Sequence, residues 1–303
     1  ILVLAPEFYQ PLRDLGTFYH AKQQAVGAAE SIVEFLDTDV SAVRSGDKTL
    51  SANDAISIQA KDLEVFSPEG TKLLGPVSFE LSTAQTTALV GPSGAGKTSL
   101  INAILGFLPY QGSLTINGIE RTELNLENWR EKISWVGQNP LLLHGSIRDN
   151  ITLGKDNVSD DAIQTALQES FSAEFVEQHG LDYAVSDRSG GLSVGQAQRL
   201  ALARAMVQNG QFWLLDEPTA SLDARSERLV MQGLAGQVEG KTTLMVTHQL
   251  SPLQNVEQIL VMENGEIVQS GHYNELSNQE GLFQNMLQAN NALNQANKGN
   301  LDA

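Results

Sequence analysis

The chain has 303 residues, 41% of them apolar and 18% charged, which is enough to bury a substantial core and too apolar for a disordered chain. Its 36 acidic and 19 basic side chains leave a net charge of −17, which argues against a nucleic-acid partner, because phosphate binding draws on a surplus of Lys and Arg. The absence of cysteine excludes disulfides, zinc–thiolate sites and thiol nucleophiles. No apolar run reaches the roughly 20 residues that a membrane-spanning helix needs. The chain opens at Ile1 with ILVLAP and no Met, and the expectation is a fragment whose preceding part lies upstream of Ile1.

In chain order, residues 11–37 follow two prolines and read as a helix. Leu15, Tyr19, Val26, Ala29, Val33 and Leu36 recur at spacings of three and four, a stripe that needs a partner to cover it. The polar stretch that follows reads as a linker over 38–55. From Ile56 onward the pattern turns to strands: IQAKDLEVF, GPVSFEL, TTALVG, ISWVG, FWLLD and TTLMVTH. Asn117-Gly118 and Asn264-Gly265 each sit between β-rich flanks and predict hairpin turns. Residues 140–210 are mostly helical in pattern and end in QAQRLALARAMVQNG, with Gly210 as the expected stop. Residues 291–303 are Asn-rich and expected to be a disordered tail.

Three segments carry chemistry. The strand TTALV runs into GPSGAGKT and then into SLINAILGF, which is G-x-x-x-x-G-K-[ST] in its required strand–loop–helix setting. Gly91, Pro92, Ser93, Gly94, Ala95 and Gly96 form a loop whose backbone N–H groups can wrap a phosphate. The Lys97 ammonium suits β- and γ-phosphates, the Thr98 hydroxyl suits Mg²⁺, and Ser99 at the helix start completes the candidate ATP-binding run from Gly91. In FWLLDE, a buried strand delivers Asp216 and Glu217 at its C-terminal end, where open α/β sheets place ligand groups. Asp216 is the candidate Mg²⁺ ligand and Glu217 the candidate general base. Between them, LSVGQ opens an Ala-rich helix, with Ser193 as a natural N-cap and Gly195 allowing close approach.

These motifs resemble the nucleotide-binding domain of ATP-binding cassette (ABC) transporters. Walker A is GPSGAGKT, the signature is LSVGQ (Ser193, Val194, Gly195, Gln196) and Walker B is FWLLDE. Gln138 in WVGQNP resembles the glutamine that contacts Mg²⁺ and water. Ser221 and Asp223 in SLD resemble the D-loop, and His248 in VTHQ resembles the switch histidine at the γ-phosphate. The resemblance implies an α/β fold, a P-loop ATPase core with an antiparallel β subdomain and a helical signature subdomain over about 140–210, the whole cassette spanning 56–290. It implies ATP and Mg²⁺ as cofactors. It also implies a head-to-tail dimer in which the signature acts on the partner's nucleotide.

LLLHGSIRDNI and the helix at 11–37 resemble an exporter-type half-transporter, in which that helix extends a last transmembrane helix. Within the family, the long similarity of APEFYQPLRDLGTFYHAKQQAVGAAESI, WVGQNP, LSVGQAQR and TLMVTHQL is to heterodimeric exporters of cysteine and glutathione that serve cytochrome bd assembly. That implies a second half-transporter as partner, the chain's own transmembrane domain upstream, and a place on the cytoplasmic face of the bacterial inner membrane. Three departures stand out. Val194 replaces the usual glycine, the expected adenine-stacking position reads Ser67 and leaves only Phe66 nearby, and VSDRSGG lacks the usual exporter string. A separate ATPase subunit of another ABC transporter and a soluble non-transport ABC ATPase remain alternatives.

Overall fold

The computed structural model describes residues 5–37, 45–139, 141–155, 158–185, 191–220 and 222–299. The chain divides into two units at residue 42. The first unit holds one helix, Ala5–Asp37. It begins before both prolines and not after them: Pro6 falls in the first turn, where its missing N–H is harmless, and Pro11 lies inside the helix. Leu15, Tyr19, Val33 and Leu36 of the expected stripe are exposed.

The second unit contains twelve strands among the described residues: β1 (Ile58–Phe66), β2 (Lys72–Leu81), β3 (Thr86–Val90), β4 (Tyr110–Ile116), β5 (Ile119–Glu120), β6 (Ile133–Val136), β7 (Gly145–Ser146), β8 (Ala184–Val185), β9 (Phe212–Asp216), β10 (Thr242–Val246), β11 (Gln258–Glu263) and β12 (Glu266–Gly271). Six of them form one sheet in the order β12-β11-β3-β10-β9-β6, parallel except for the β12 edge. β2-β1-β4-β5 forms a second, antiparallel sheet, and β7 with β8 makes a small ribbon.

Alternation explains why the central strands read as continuous apolar runs. Leu89, Phe212, Leu214, Leu244, Val246 and Leu260 face a core shared with the antiparallel sheet and the helix Lys97–Ile104. Their neighbours Ala88, Val90, Trp213, Leu215, Met245 and Ile259 face a second core with the helices of the 147–208 region. Both faces are covered, so the buried positions of these strands are apolar apart from the hydroxyls of Thr87, Ser134, Thr242 and Thr243. The two Asn-Gly turns form as expected, with Asn117, Gly118, Asn264 and Gly265 all at positive φ.

Three expectations change. The helix Val194–Gln208 is closed by Asn209 in the left-handed conformation, not by Gly210. Gly210 is needed for space: a Cβ there would lie 2.5 Å from the Lys132 carbonyl oxygen. The expected disordered tail is helical through Gly299, within Leu282–Gly299, and 300–303 lie outside the described residues. Part of the expected linker is pinned. Gly46 and Lys48 donate backbone hydrogen bonds to Leu124 and Glu123, and Leu50 donates to the Asn128 side chain.

Candidate active site at the ends of the parallel strands

Four neighbouring strands, β3, β10, β9 and β6, point their C-terminal ends at one place. β3 runs into the phosphate loop, β9 delivers Asp216 and Glu217, β10 leads to His248 and β6 to Gln138. Residues far apart in sequence meet because parallel order puts these ends side by side. They line a cavity of about 310 Å³, formed by Ser93 to Ser99 with Gln138, Asp216, Glu217, His248 and Leu73.

Within the loop, Gly91, Gly94 and Gly96 all carry positive φ, and Gly96 is the N-cap of Lys97–Ile104. No side chain caps that helix and no acidic residue stands in its first turn, so its N–H groups face the cavity with the helix dipole behind them. Lys97 is buried, and its Nζ donates to the Gly91 and Pro92 carbonyls at 2.8 and 2.9 Å. Burial pulls its pKa below the ordinary value, and the carboxylates of Glu217 and Asp216 oppose that shift. Burial pushes the Asp216 carboxyl above its usual range and the charge of Glu217 adds to this, with Lys97 and His248 working against it.

Glu217 is the hub. Gln138 Nε2 donates to its Oε2 at 3.1 Å, and His248 Nε2 lies 2.8 Å from its Oε1. Its side chain is 15% exposed and its φ is +50°, a left-handed conformation unusual for a residue with a Cβ. Its own N–H donates to the Val246 carbonyl on β10, which ties the Walker B end to the strand that carries His248.

The signature residues lie elsewhere. Ser193 caps the helix Val194–Gln208 in a reciprocal pair with Gln196, and Val194 is 63% exposed. None of Ser193, Val194, Gly195 and Gln196 lines the cavity. Asp223 caps the helix Ala224–Val238, and bonds from Ser226 and Arg225 hold its carboxyl down at about 2. Ser221 and most of VSDRSGG lie outside the described residues. Ser67 closes a turn with Thr71, and neither it nor the half-buried Phe66 lines the cavity. Leu73 of β2 does, and sequence reasoning missed it; its one signal was an apolar residue at an exposed strand position.

A phosphate loop, a lysine inside it and an acidic pair at the adjacent strand end together define a nucleotide-binding domain of the P-loop type. Residues 74–220 match the family model described as ABC transporter. The chain is 52% identical, over 94% of its length, to the glutathione/L-cysteine transport system ATP-binding/permease protein CydD of Haemophilus influenzae, of which it covers 49%. Identity to CydD of Escherichia coli is 50%, again over 94% of this chain and 49% of that protein. The chain thus spans about half the length of the curated relatives it matches. Among solved structures it resembles a bacterial Atm1-family ABC exporter with ATP bound, with a TM-score of 0.79, 27% identity, and coverage of 94% of this chain and 51% of that one. Among the described residues no helix is long and apolar enough to cross a membrane.

Proposed function

We propose that this chain is the ATP-hydrolysing part of an exporter half-transporter, with its transmembrane domain upstream, set at the cytoplasmic face of a bacterial inner membrane. The observation that carries the hydrolytic reading is Glu217: a carboxylate fixed in a left-handed turn, held by Gln138 and His248, and facing the lysine of a phosphate loop. In this reading the loop N–H groups and Lys97 bind the β- and γ-phosphates of ATP. Glu217 accepts the proton of the attacking water, and ADP and phosphate leave. Each oxygen of Glu217 has one such partner, which leaves a lone pair on each for the attacking water.

The residues fit Mg²⁺. Thr98, Gln138 and Asp216 offer hard oxygen donors at one cavity wall, and among the described residues no cluster of three His, Cys, Asp or Glu could hold a metal without the phosphates. When bound, the ion would supply charge neutralisation to the phosphates. Because no signature residue lines the cavity, the domain needs a second cassette, and we assign that role to a CydC-like half-transporter in a head-to-tail heterodimer, with Ser193 and Gly195 acting on the partner's ATP. The similarity to CydD supports cysteine and glutathione as the exported solutes.

The test is ATP turnover of the full-length protein co-expressed with its partner, wild type against Glu217→Gln. Collapse of turnover is expected. Turnover at the wild-type rate would mean hydrolysis runs at the partner's Walker site and would remove Glu217 as the base.

A further inference from the structure

We propose that Gln198 is a positioning residue for Glu217, through which the helix opened by the signature sets the geometry of this chain's own base; the proposal rests on reading Glu217 as that base. Gln198 is 0% exposed, in the first turns of Val194–Gln208, two residues past Gln196. Its Nε2 donates at 2.8 Å to the carbonyl of Pro218, the buried residue directly after Glu217. Its Oε1 is buried with no partner.

A half-satisfied buried carboxamide is a poor way to fill space under a helix, although an apolar replacement would in turn leave the Pro218 carbonyl without this donor. The side chain is aimed instead at a backbone whose conformation matters. Glu217 sits at φ +50°, which costs free energy in a residue with a Cβ and persists only where its surroundings over-determine it. The bond from Glu217 N–H to Val246 fixes one side of the turn, and Ala220 N–H closes it by donating to the Glu217 carbonyl at 3.1 Å. Between them stands Pro218, whose ring already sets φ. Holding its carbonyl sets ψ, the remaining dihedral, and so fixes the direction in which the turn leaves Glu217.

The other end of this linkage is the signature. Ser193 and Gln196 bond reciprocally and make the helix start one stiff turn, and Gln198 belongs to the same run. A shift of Ser193 to Gln196 against a partner's nucleotide therefore moves Gln198, and with it Pro218 and Glu217. Occupancy of one ATP site would in this way tune the base of the other.

The experiment uses the full-length protein assembled with its partner half-transporter, carrying Gln198→Leu or, as a second apolar side chain of similar size, Gln198→Met. Turnover is expected to fall about ten- to a hundredfold, as for a misplaced catalytic group, with KM for ATP and affinity for a non-hydrolysable analogue within about twofold of wild type. The melting temperature should fall by only a few degrees, as for one buried carbonyl left without its donor, so a large loss of turnover with KM and analogue affinity intact separates positioning from a merely structural role. Placed on Glu217→Gln, the same change should add no further loss. Unchanged turnover, a loss carried by KM, or full additivity with Glu217→Gln overturns the proposal. Wild-type turnover in Glu217→Gln alone would overturn the base assignment and this proposal with it, whereas collapse there beside an intact Gln198→Leu overturns only the positioning role.

Discussion

Replacing Gly91 by Ala tests whether the phosphate loop is shaped by its neighbours or only by glycine's flexibility. A Cβ at Gly91 would lie 2.2 Å from the Met262 carbonyl oxygen in β11. An ordinary carbon–oxygen approach is about 3.3 Å, so roughly 1 Å of opening is needed. β11 cannot retreat, because Val261 pairs with Val90 on one side and Met262 with Ile267 on the other. The loop must move instead, against both an overpacked contact and a backbone angle of +154°. Such a combination costs about 3 kcal/mol. At about 2–4 °C per kcal/mol for a domain of this size, the melting temperature should fall by roughly 6–12 °C. Gly94→Ala is the internal control. Its Cβ meets nothing within 4 Å and it suffers only from φ +79°, which is about 1 kcal/mol. Because Gly94 lines the cavity, its methyl should lower ATP affinity more than stability. Thermal unfolding and ATP titration of both variants decide the matter. A Gly94→Ala protein that melts as low as Gly91→Ala, or a Gly91→Ala protein within about 2 °C of wild type, refutes the steric argument.

Ser193→Ala should cost about 1 kcal/mol by removing the helix cap. It should leave ATP affinity of the chain alone unchanged and lower turnover of the assembled pair, so a loss of affinity in the isolated chain would contradict the trans role. Asp216→Asn should raise the melting temperature near neutral pH. The folded state raises the Asp216 pKa, chiefly by burial, so its contribution to stability is full below the ordinary carboxylate range and lost as pH rises through the folded value. The gain from Asn should therefore shrink on moving from about pH 8 to about pH 4, and a gain that grows instead would reverse the sign assigned to burial.

The site was largely legible because its chemistry sits in contiguous strings. GPSGAGKT and FWLLDE each carry a strand, its end and the reactive groups, so alternation and spacing sufficed to place Lys97 and Glu217. What could not be read was what depends on strands meeting. That Gln138, Glu217 and His248 form one cluster follows from the order β10-β9-β6, which no local pattern encodes. Gly210 looked like a helix stop because glycine usually is one; Asn209 takes that conformation, and Gly210 is required by the passing backbone of Lys132 to Ser134. The Asn-rich end looked frayed because it lacks a strong apolar stripe. Its helix starts from Leu282, with Phe283 fully buried against Tyr273, an anchor outside the stretch itself.

The lining of the cavity makes a prediction about the nucleotide base. Aromatic stacking on a base is worth about 1–3 kcal/mol, and it is the usual means by which a shallow site grips adenine. Here Ser67 is spent on a turn, Phe66 lies half-buried in β1, and the apolar side chains that line the cavity are Leu73 and the small Ala95 of the phosphate loop. The polar groups there are those of the phosphate loop and the strand ends, and they recognise phosphate and not a base edge. Binding should therefore rest on the triphosphate: ATP and GTP should bind within about tenfold of each other. Leu73→Trp should tighten both by a factor consistent with one stacked base, about tenfold. Competition between the two nucleotides for one fluorescent analogue measures this directly. A preference for ATP of a hundredfold or more in the wild type would show that adenine is read by a group outside this cavity, and would transfer base recognition from Leu73 to another part of the assembled protein.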